Sequence, residues 1–320
     1  MNTVEHVKKW SLRASALVLL SLVGLMVAVG GGIAGWFIGQ GGFNGLQQNK
    51  THGELRLEVA GQRLLNDAVE ATVELPAGLL TFQASSPDPA GYTMLLVKMP
   101  AGKTITDYLS GLAGMANTGV QDTETAKQYH DANYGGARVA GDKCKVSFTV
   151  VLQPGTYYII AFWGAGVSDT HPRTQELKVT GDAGNVTLPD TPHKVTLEEG
   201  NNPPRFVTDD EWPADGRILV DNETSVPSET VFLPLSPDAT DDDLYKFFHH
   251  DGAEPNWLST PFSEIRVCGM APTSPGHKVL VHVSSPPGEY VLASFVFNPK
   301  YNKRQYQLGM YKRIKLSPMA

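Results

Sequence analysis

"VSFTVVLQPGTYYIIAFW" (residues 146–163) and "VLVHVSSPPGEYVLASFV" (279–296) decide the fold. Each reads as a strand, a turn and a second strand. Val146, Phe148 and Val150 share one face, a Pro-Gly turn interrupts, and aromatic and β-branched residues resume. Gly155 lies over Gly288 and Tyr157 over Tyr290, at an offset of 133. Earlier in the chain, "LPAGLLTFQASSPDPAGYTMLLVKMPAGKTITDYL" (75–109) lies over "WPADGRILVDNETSVPSETVFLPLSPDATDDDLYK" (212–246) at an offset of 137. Pro76, Ala77, Thr93, Pro100 and Tyr108 match Pro213, Ala214, Thr230, Pro237 and Tyr245. Two landmarks in the same order mark a tandem duplication. Its boundary falls in the turn-rich "GDAGNVTLPDTP" (181–192).

Between the two landmarks of each repeat, "TITDYLSGLAG" and "TDDDLYKFFHH" read as short helices opening at Thr/Asp caps. The remaining elements are short alternating strands, and the 22 prolines and 32 glycines among 320 residues punctuate many of them. The expected architecture is all-β: two tandem β-sandwiches, residues 51–182 and 190–320, each of about 130 residues with one helical insertion.

Ahead of the repeats stands an apolar stretch. No charged side chain occurs from Ala14 to Asn49, and Ala14–Gly39 would extend about 39 Å as a helix. That spans the roughly 30 Å hydrocarbon core with some tilt. A cleaved signal peptide would end its apolar run sooner, whereas here Trp36, Phe37 and Ile38 follow the glycines. The reading is an uncleaved single-pass helix at 14–39, joined to the first sandwich by a flexible linker, 40–50. Lys8, Lys9 and Arg13 precede the helix and place residues 1–13 in the cytoplasm, with the repeats extracytoplasmic, or periplasmic in a Gram-negative cell. On a helical wheel Ser21, Gly24, Ala28, Gly31, Gly32, Gly35 and Gly39 occupy one arc of about 100°. Small residues on one flank let helix backbones approach closely in lipid, so this face is expected to dock against integral membrane subunits or a second copy.

Charge and cysteine content exclude other classes. Residues 1–50 carry +3 and the following 270 carry −10 of the formal −7, which argues against a nucleic-acid partner and allows a basic soluble one. Cys144 and Cys268 form no CxxC motif; one bridge between them is possible, but because they fall in different repeats they are expected as buried free thiols. No GxSxG, Walker, HExxH or dinucleotide motif occurs, so no enzyme activity and no cofactor are expected. His249, His250 and Asp251, near Asp241-Asp242-Asp243, read as a capped helix rather than a metal site. Asn49, Asn185 and Asn222 head Asn-x-Thr triplets, which recur by chance and which a bacterial chain would not use as glycosylation signals in this way. Tyr301, Arg304, Tyr306, Tyr311, Lys312 and Arg313, with Lys300 and Lys303, form a basic aromatic stretch. It reads either as a partner surface or as a basic hairpin edge that blocks aggregation.

The pattern V-x-L-x-P-G-x-Y-x-x-x-x-F … G-M resembles the C-terminal half of cupredoxin domains. In that family a His after an early strand, then Cys, His and often Met in the last loop, hold copper. The Cys stands four residues after the Tyr, and the last His and Met are five apart. The resemblance puts Ser228, Ser294, Gln305 and Met310 at these positions in the second repeat. In the first it puts Gly91, Ala161, Pro172 (beside His171) and Leu177 there. Neither repeat supplies the thiolate that a blue-copper site requires. The resemblance therefore implies copper-free cupredoxin-like modules, a fold that recurs on membrane anchors in electron-transfer chains. The resulting expectation is a non-catalytic accessory subunit of a respiratory or photosynthetic membrane complex. A membrane-tethered binding module for a soluble protein or carbohydrate, and an atypical copper or redox protein, are the alternatives.

Overall fold

The computed structural model describes residues 54–65, 72–118, 130–164, 172–200, 203–249, 261–264 and 266–318. The expected cytoplasmic terminus (1–13), membrane helix with its glycine face (14–39) and linker (40–50) lie outside these residues. Among the described ones, no helix is long and apolar enough to cross a membrane.

The first repeat contributes β1 (Arg56–Val59), β2 (Gln62–Leu64), β3 (Val73–Pro76), β4 (Gly78–Ser85) and β5 (Tyr92–Val97), then α1 (Ile105–Thr118). It closes with β6 (Asn133–Val139), β7 (Lys145–Leu152), β8 (Gly155–Trp163) and β9 (Arg173–Thr180). The second repeats that order. It runs β10 (His193–Glu198), β11 (Arg205–Val207), β12 (Glu211–Pro213), β13 (Asp215–Glu223), β14 (Ser228–Pro234) and α2 (Asp241–Phe248). After these come β15 (Cys268–Thr273), β16 (Lys278–Ser284), β17 (Gly288–Ala293), a small hairpin of β18 (Phe297–Asn298) and β19 (Lys303–Arg304), and β20 (Tyr311–Ser317).

The two repeats do not stand apart as separate sandwiches. One sheet runs β11-β10-β13-β16-β7-β4-β1-β2, and the facing sheet β12-β20-β17-β14-β15-β6-β5-β8-β9-β3. Half of each sheet comes from each repeat, and either end gives the same series of equivalent strands. A pseudo-twofold axis therefore passes between β7 and β16. There Phe148 lies opposite Val281, its own counterpart at the offset of 133. In the other sheet β6 meets β15 at Arg138 and Gly269. Gly136 leaves room for that approach: a Cβ there would stand 3.0 Å from the Ala271 Cβ across the seam, and 2.1 Å from the Met94 carbonyl oxygen of its own repeat. The physical reason for the merger is the edge problem. Lone sandwiches would leave β7 and β16 with unpaired backbone groups, and pairing them removes both edges.

The register also shifts the counterpart positions. Phe82 faces Phe148 while Ile218 faces Val281, so here equivalent residues are 136 apart rather than 137. Burial follows the ladder: Phe82 and Ala84 point inward, as do Ile218 and Val220.

Local chemistry explains the opening motif. Gly155 and Gly288 take φ of +153° and +156°, values that an L side chain rarely adopts. The chain then enters β8 and β17, where Tyr157 and Tyr290 bury their rings. Their hydroxyls donate to carbonyls four residues back, Gln153 at 3.1 Å and Pro286 at 2.8 Å. Both helices open on reciprocal caps: the Thr104 and Thr240 amides donate to Asp107 and Asp243, whose own amides donate back to the threonine hydroxyls. The helices cover the outer face of the ten-stranded sheet. Tyr108 of α1 packs with Leu95, Val97, Ile160 and Phe162, and Leu244, Phe247 and Phe248 of α2 with Val231, Leu233 and Val291. Hence every residue of β5 and β14 is buried, on both faces.

The expectation of free thiols is corrected. Cys144 and Cys268 form a disulfide, with Cα atoms 5.9 Å apart, between the two repeats. Across 124 residues of sequence nothing marks them as neighbours. They meet because β15 pairs with β6 and contacts β7 of the facing sheet, which Cys144 immediately precedes. Cutting the exposed segment 184–187 and reducing this disulfide is expected to leave the two repeats associated. Size-exclusion chromatography should give one peak at the intact mass, and two half-mass peaks would contradict the shared sheets.

Candidate functional site

Ser228 opens β14, Ser294 follows β17, Gln305 follows β19 and Met310 precedes β20. All four are fully buried, and the fold brings them to one end of the second repeat. Gln305 Nε2 donates to Ser228 Oγ at 2.6 Å, while its Oε1 accepts from Ser294 Oγ. The Met310 amide donates to the Gln305 carbonyl at 3.0 Å, and the Ser294 amide to the Met310 carbonyl at 3.2 Å. The Met310 side chain belongs to the apolar core between the sheets. The side-chain donors are thus two hydroxyls, an amide and a thioether, without the thiolate and imidazoles of blue copper. Each polar member is engaged by another, and the residues do not fit that metal.

The network extends across the repeats. The Glu229 amide donates to Ser294 Oγ at 3.3 Å, and Glu229 Oε1 accepts from the Phe295 amide at 2.8 Å. Its Oε2 pairs with Arg138 Nη2 at 2.9 Å, the two side chains being 0% and 7% exposed. A carboxylate and a guanidinium this deep are tolerated only as a pair with further hydrogen bonds. On the other side Ser228 Oγ lies 2.9 Å from Thr224 Oγ1, itself bonded to Asn222. A continuous run of buried polar groups therefore reaches from the corner of the second repeat to the first. Arg266 adds a parallel link: Nη1 donates to the Lys143 carbonyl of the first repeat and Nη2 to the Tyr290 hydroxyl, each at 3.2 Å. Arg138 and Glu229 carried no sequence signal, for each sits alone within a strand.

In the first repeat the corresponding positions carry no network. A Cβ on Gly91 would stand 2.1 Å from the Val139 carbonyl oxygen, and Ala161 is buried on β8 between Met94 and Arg173. Pro172 is half-buried, and His171 lies outside the described residues. Leu177 is not the counterpart of Met310. It pairs with Tyr157 as Ile314 pairs with Tyr290, because the loops before β9 and β20 differ in length.

The basic aromatic stretch is not one exposed face. Tyr306 is buried against Phe248 and Phe295. Tyr311 stacks on Phe248 at 4.5 Å; burial, then the Tyr245 and Asp241 charges, push its phenol pKa up. Arg304 donates to the Phe295 carbonyl, Lys312 contacts Asp210 and the Thr208 carbonyl, and Arg313 contacts Asp241 and the Ala239 carbonyl. Tyr301 is half-buried with Lys300 over its ring at 4.8 Å. The Asp241–Asp243 run sits in the first turn of α2, and His249 Nδ1 contacts the Tyr245 carbonyl oxygen. His250 and Asp251 lie outside the described residues. The sequence did not single out Tyr245. The helix caps align Thr104 with Thr240 and Asp107 with Asp243, 136 apart, so the counterpart of buried Tyr108 is buried Leu244 rather than Tyr245; Tyr245, 57% exposed and stacked on His249 at 4.3 Å, takes the place of half-buried Leu109.

No protein-family model matches the chain, and no curated protein matches it in sequence. Among solved structures it is similar to a dithionite-reduced auracyanin from the photosynthetic bacterium Roseiflexus castenholzii. That match has 14% identity, covers 39% of this chain and 95% of that one, and has a TM-score of 0.25. It is also similar to auracyanin B, at 14% identity over 41% of this chain and 94% of that one, with a TM-score of 0.22.

Glu229→Ala is expected to destabilise the protein by about 3–5 kcal/mol, because Arg138 is then left buried without its carboxylate. Adding Arg138→Met should restore much of that loss in urea unfolding, and a purely additive double variant would contradict the pairing. The triple variant Ser228→His, Ser294→Cys, Gln305→His is expected to take up one copper with a thiolate charge-transfer band, Met310 being native. Failure of the folded variant to bind copper would show that these positions do not converge as described.

Proposed function

We propose that this protein is a non-catalytic accessory subunit of a membrane complex, its fused cupredoxin-like repeats lying on the extracytoplasmic face. The observation that carries the reading is the Ser228-Gln305-Ser294-Glu229-Arg138 network. The positions where a cupredoxin would hold its metal are occupied by side chains that bond one another and tie the repeats together. A site of that kind contributes rigidity rather than redox chemistry. The Cys144–Cys268 disulfide supports an oxidising compartment, in keeping with repeats outside the cytoplasm. The glycine flank of residues 21–39 supplies the docking element for integral membrane subunits, and a respiratory or photosynthetic complex is the preferred host.

A membrane-tethered binding module is the second reading. It is favoured by Tyr245, an aromatic ring 57% exposed on α2 and held flat on His249.

Purification of the full chain in mild detergent separates the two readings. The accessory-subunit reading predicts co-purifying membrane proteins that are lost on Gly31→Leu or Gly35→Leu and retained on Tyr245→Ala. Migration of the wild-type protein as a lone monomer, or loss of partners only with Tyr245→Ala, would overturn it.

A further inference from the structure

Against the expectation that the Asn-x-Thr triplets are chance occurrences, we propose that Asn185 is an attachment site for an N-linked oligosaccharide. Two Asn-x-Thr triplets fall among the described residues, at Asn185 and Asn222, and the fold separates them. Asn222 is fully buried in β13. Its Nδ2 donates to the Val226 and Thr273 carbonyls at 3.1 and 2.8 Å, and its Oδ1 accepts from the Thr224 amide and hydroxyl. That amide nitrogen is out of reach of a transferase, and the triplet's threonine is buried with it.

Asn185 is placed in the opposite way. It follows the turn at Gly184, whose φ is +60°, on the segment that joins β9 to β10. Asn185, Val186 and Thr187 are all exposed, and Val186 remains 44% exposed although apolar. Residues 186–192 belong to no strand, so the triplet can enter an active site without breaking a ladder. The middle residue is valine, not the proline that would block acceptance. Independently, the disulfide between the repeats places the folded chain in an oxidising compartment, where surface triplets of secreted chains meet lipid-linked saccharides. In the transfer, Asn185 Nδ2 bonds to C1 of the first sugar and loses one proton. The bond from C1 to the donor's phosphate oxygen breaks, and the polyprenyl phosphate or diphosphate leaves. A glycan there would shield Val186.

The test uses protein recovered from its native membranes. Trypsin releases residues 179–194, between Lys178 and Lys194, with Asn185 as its sole triplet, and residues 218–246 with Asn222. Mass spectrometry is expected to find the first peptide heavier by whole sugar residues and the second at its sequence mass. Thr187→Ala, made in the same host, should return the first peptide to its sequence mass. An unmodified 179–194 peptide from the wild type, or an increment that survives Thr187→Ala, overturns the proposal.

Discussion

The antiparallel ladder between β7 and β16 is the constraint on which the rest of the structure depends. It spans Lys145–Thr149 against Leu280–Ser284, and it turns two edge strands into the centre of an eight-stranded sheet. Once that ladder forms, the pseudo-twofold axis is fixed, and β6 and β15 must meet across it in the facing sheet. Glycine at 136 leaves room for Ala271 at that second meeting. The core then runs unbroken beneath both repeats, with Phe82 stacked on Phe148 at 4.9 Å close to the axis.

The polar links follow from this geometry and reinforce it. Arg138 lies on β6, the strand of the first repeat that borders the second, and reaches Glu229 because β15 and β14 come directly after β6 in the sheet. The disulfide joins the same region, restricting the unfolded chain over a long loop. Ser228, Ser294 and Gln305 close the far end of the network, so its polar groups are matched within the fold rather than to a ligand. In a low-dielectric interior, such matching makes each member costly to remove singly. Rigidity of this kind suits a body that must present a fixed surface.

Much of the local structure was legible in the sequence. The Pro-Gly turns, the Gly-x-Tyr openings of β8 and β17 and the Thr/Asp caps are set by residues within four positions of one another. The duplication was legible as well, and counting from the tyrosine of each turn located Ser294, Gln305 and Met310. The remainder depended on distant pairings. Cys144 finds Cys268, and Arg138 finds Glu229, through sheet order that no short pattern encodes. A one-residue register change made the spacing 136 in β4 and β13, and a difference in loop length misplaced Leu177. Tyr306 looked like a surface residue by composition, yet the phenylalanines of α2 and Phe295 bury it. The expected membrane helix and its glycine face lie outside the described residues.

The central claim is that the repeats form one interlocked body, and native-state hydrogen exchange of the protein tests it most directly. Amides of β7 and β16 at the axis should exchange at the slowest rate, together with those of β5 and β14, all with the same dependence on urea. That result would mean that both repeats open only by global unfolding. Exchange of one repeat's strands in a separate, lower-energy step, with β7 and β16 opening while β5 and β14 stay protected, would contradict the account.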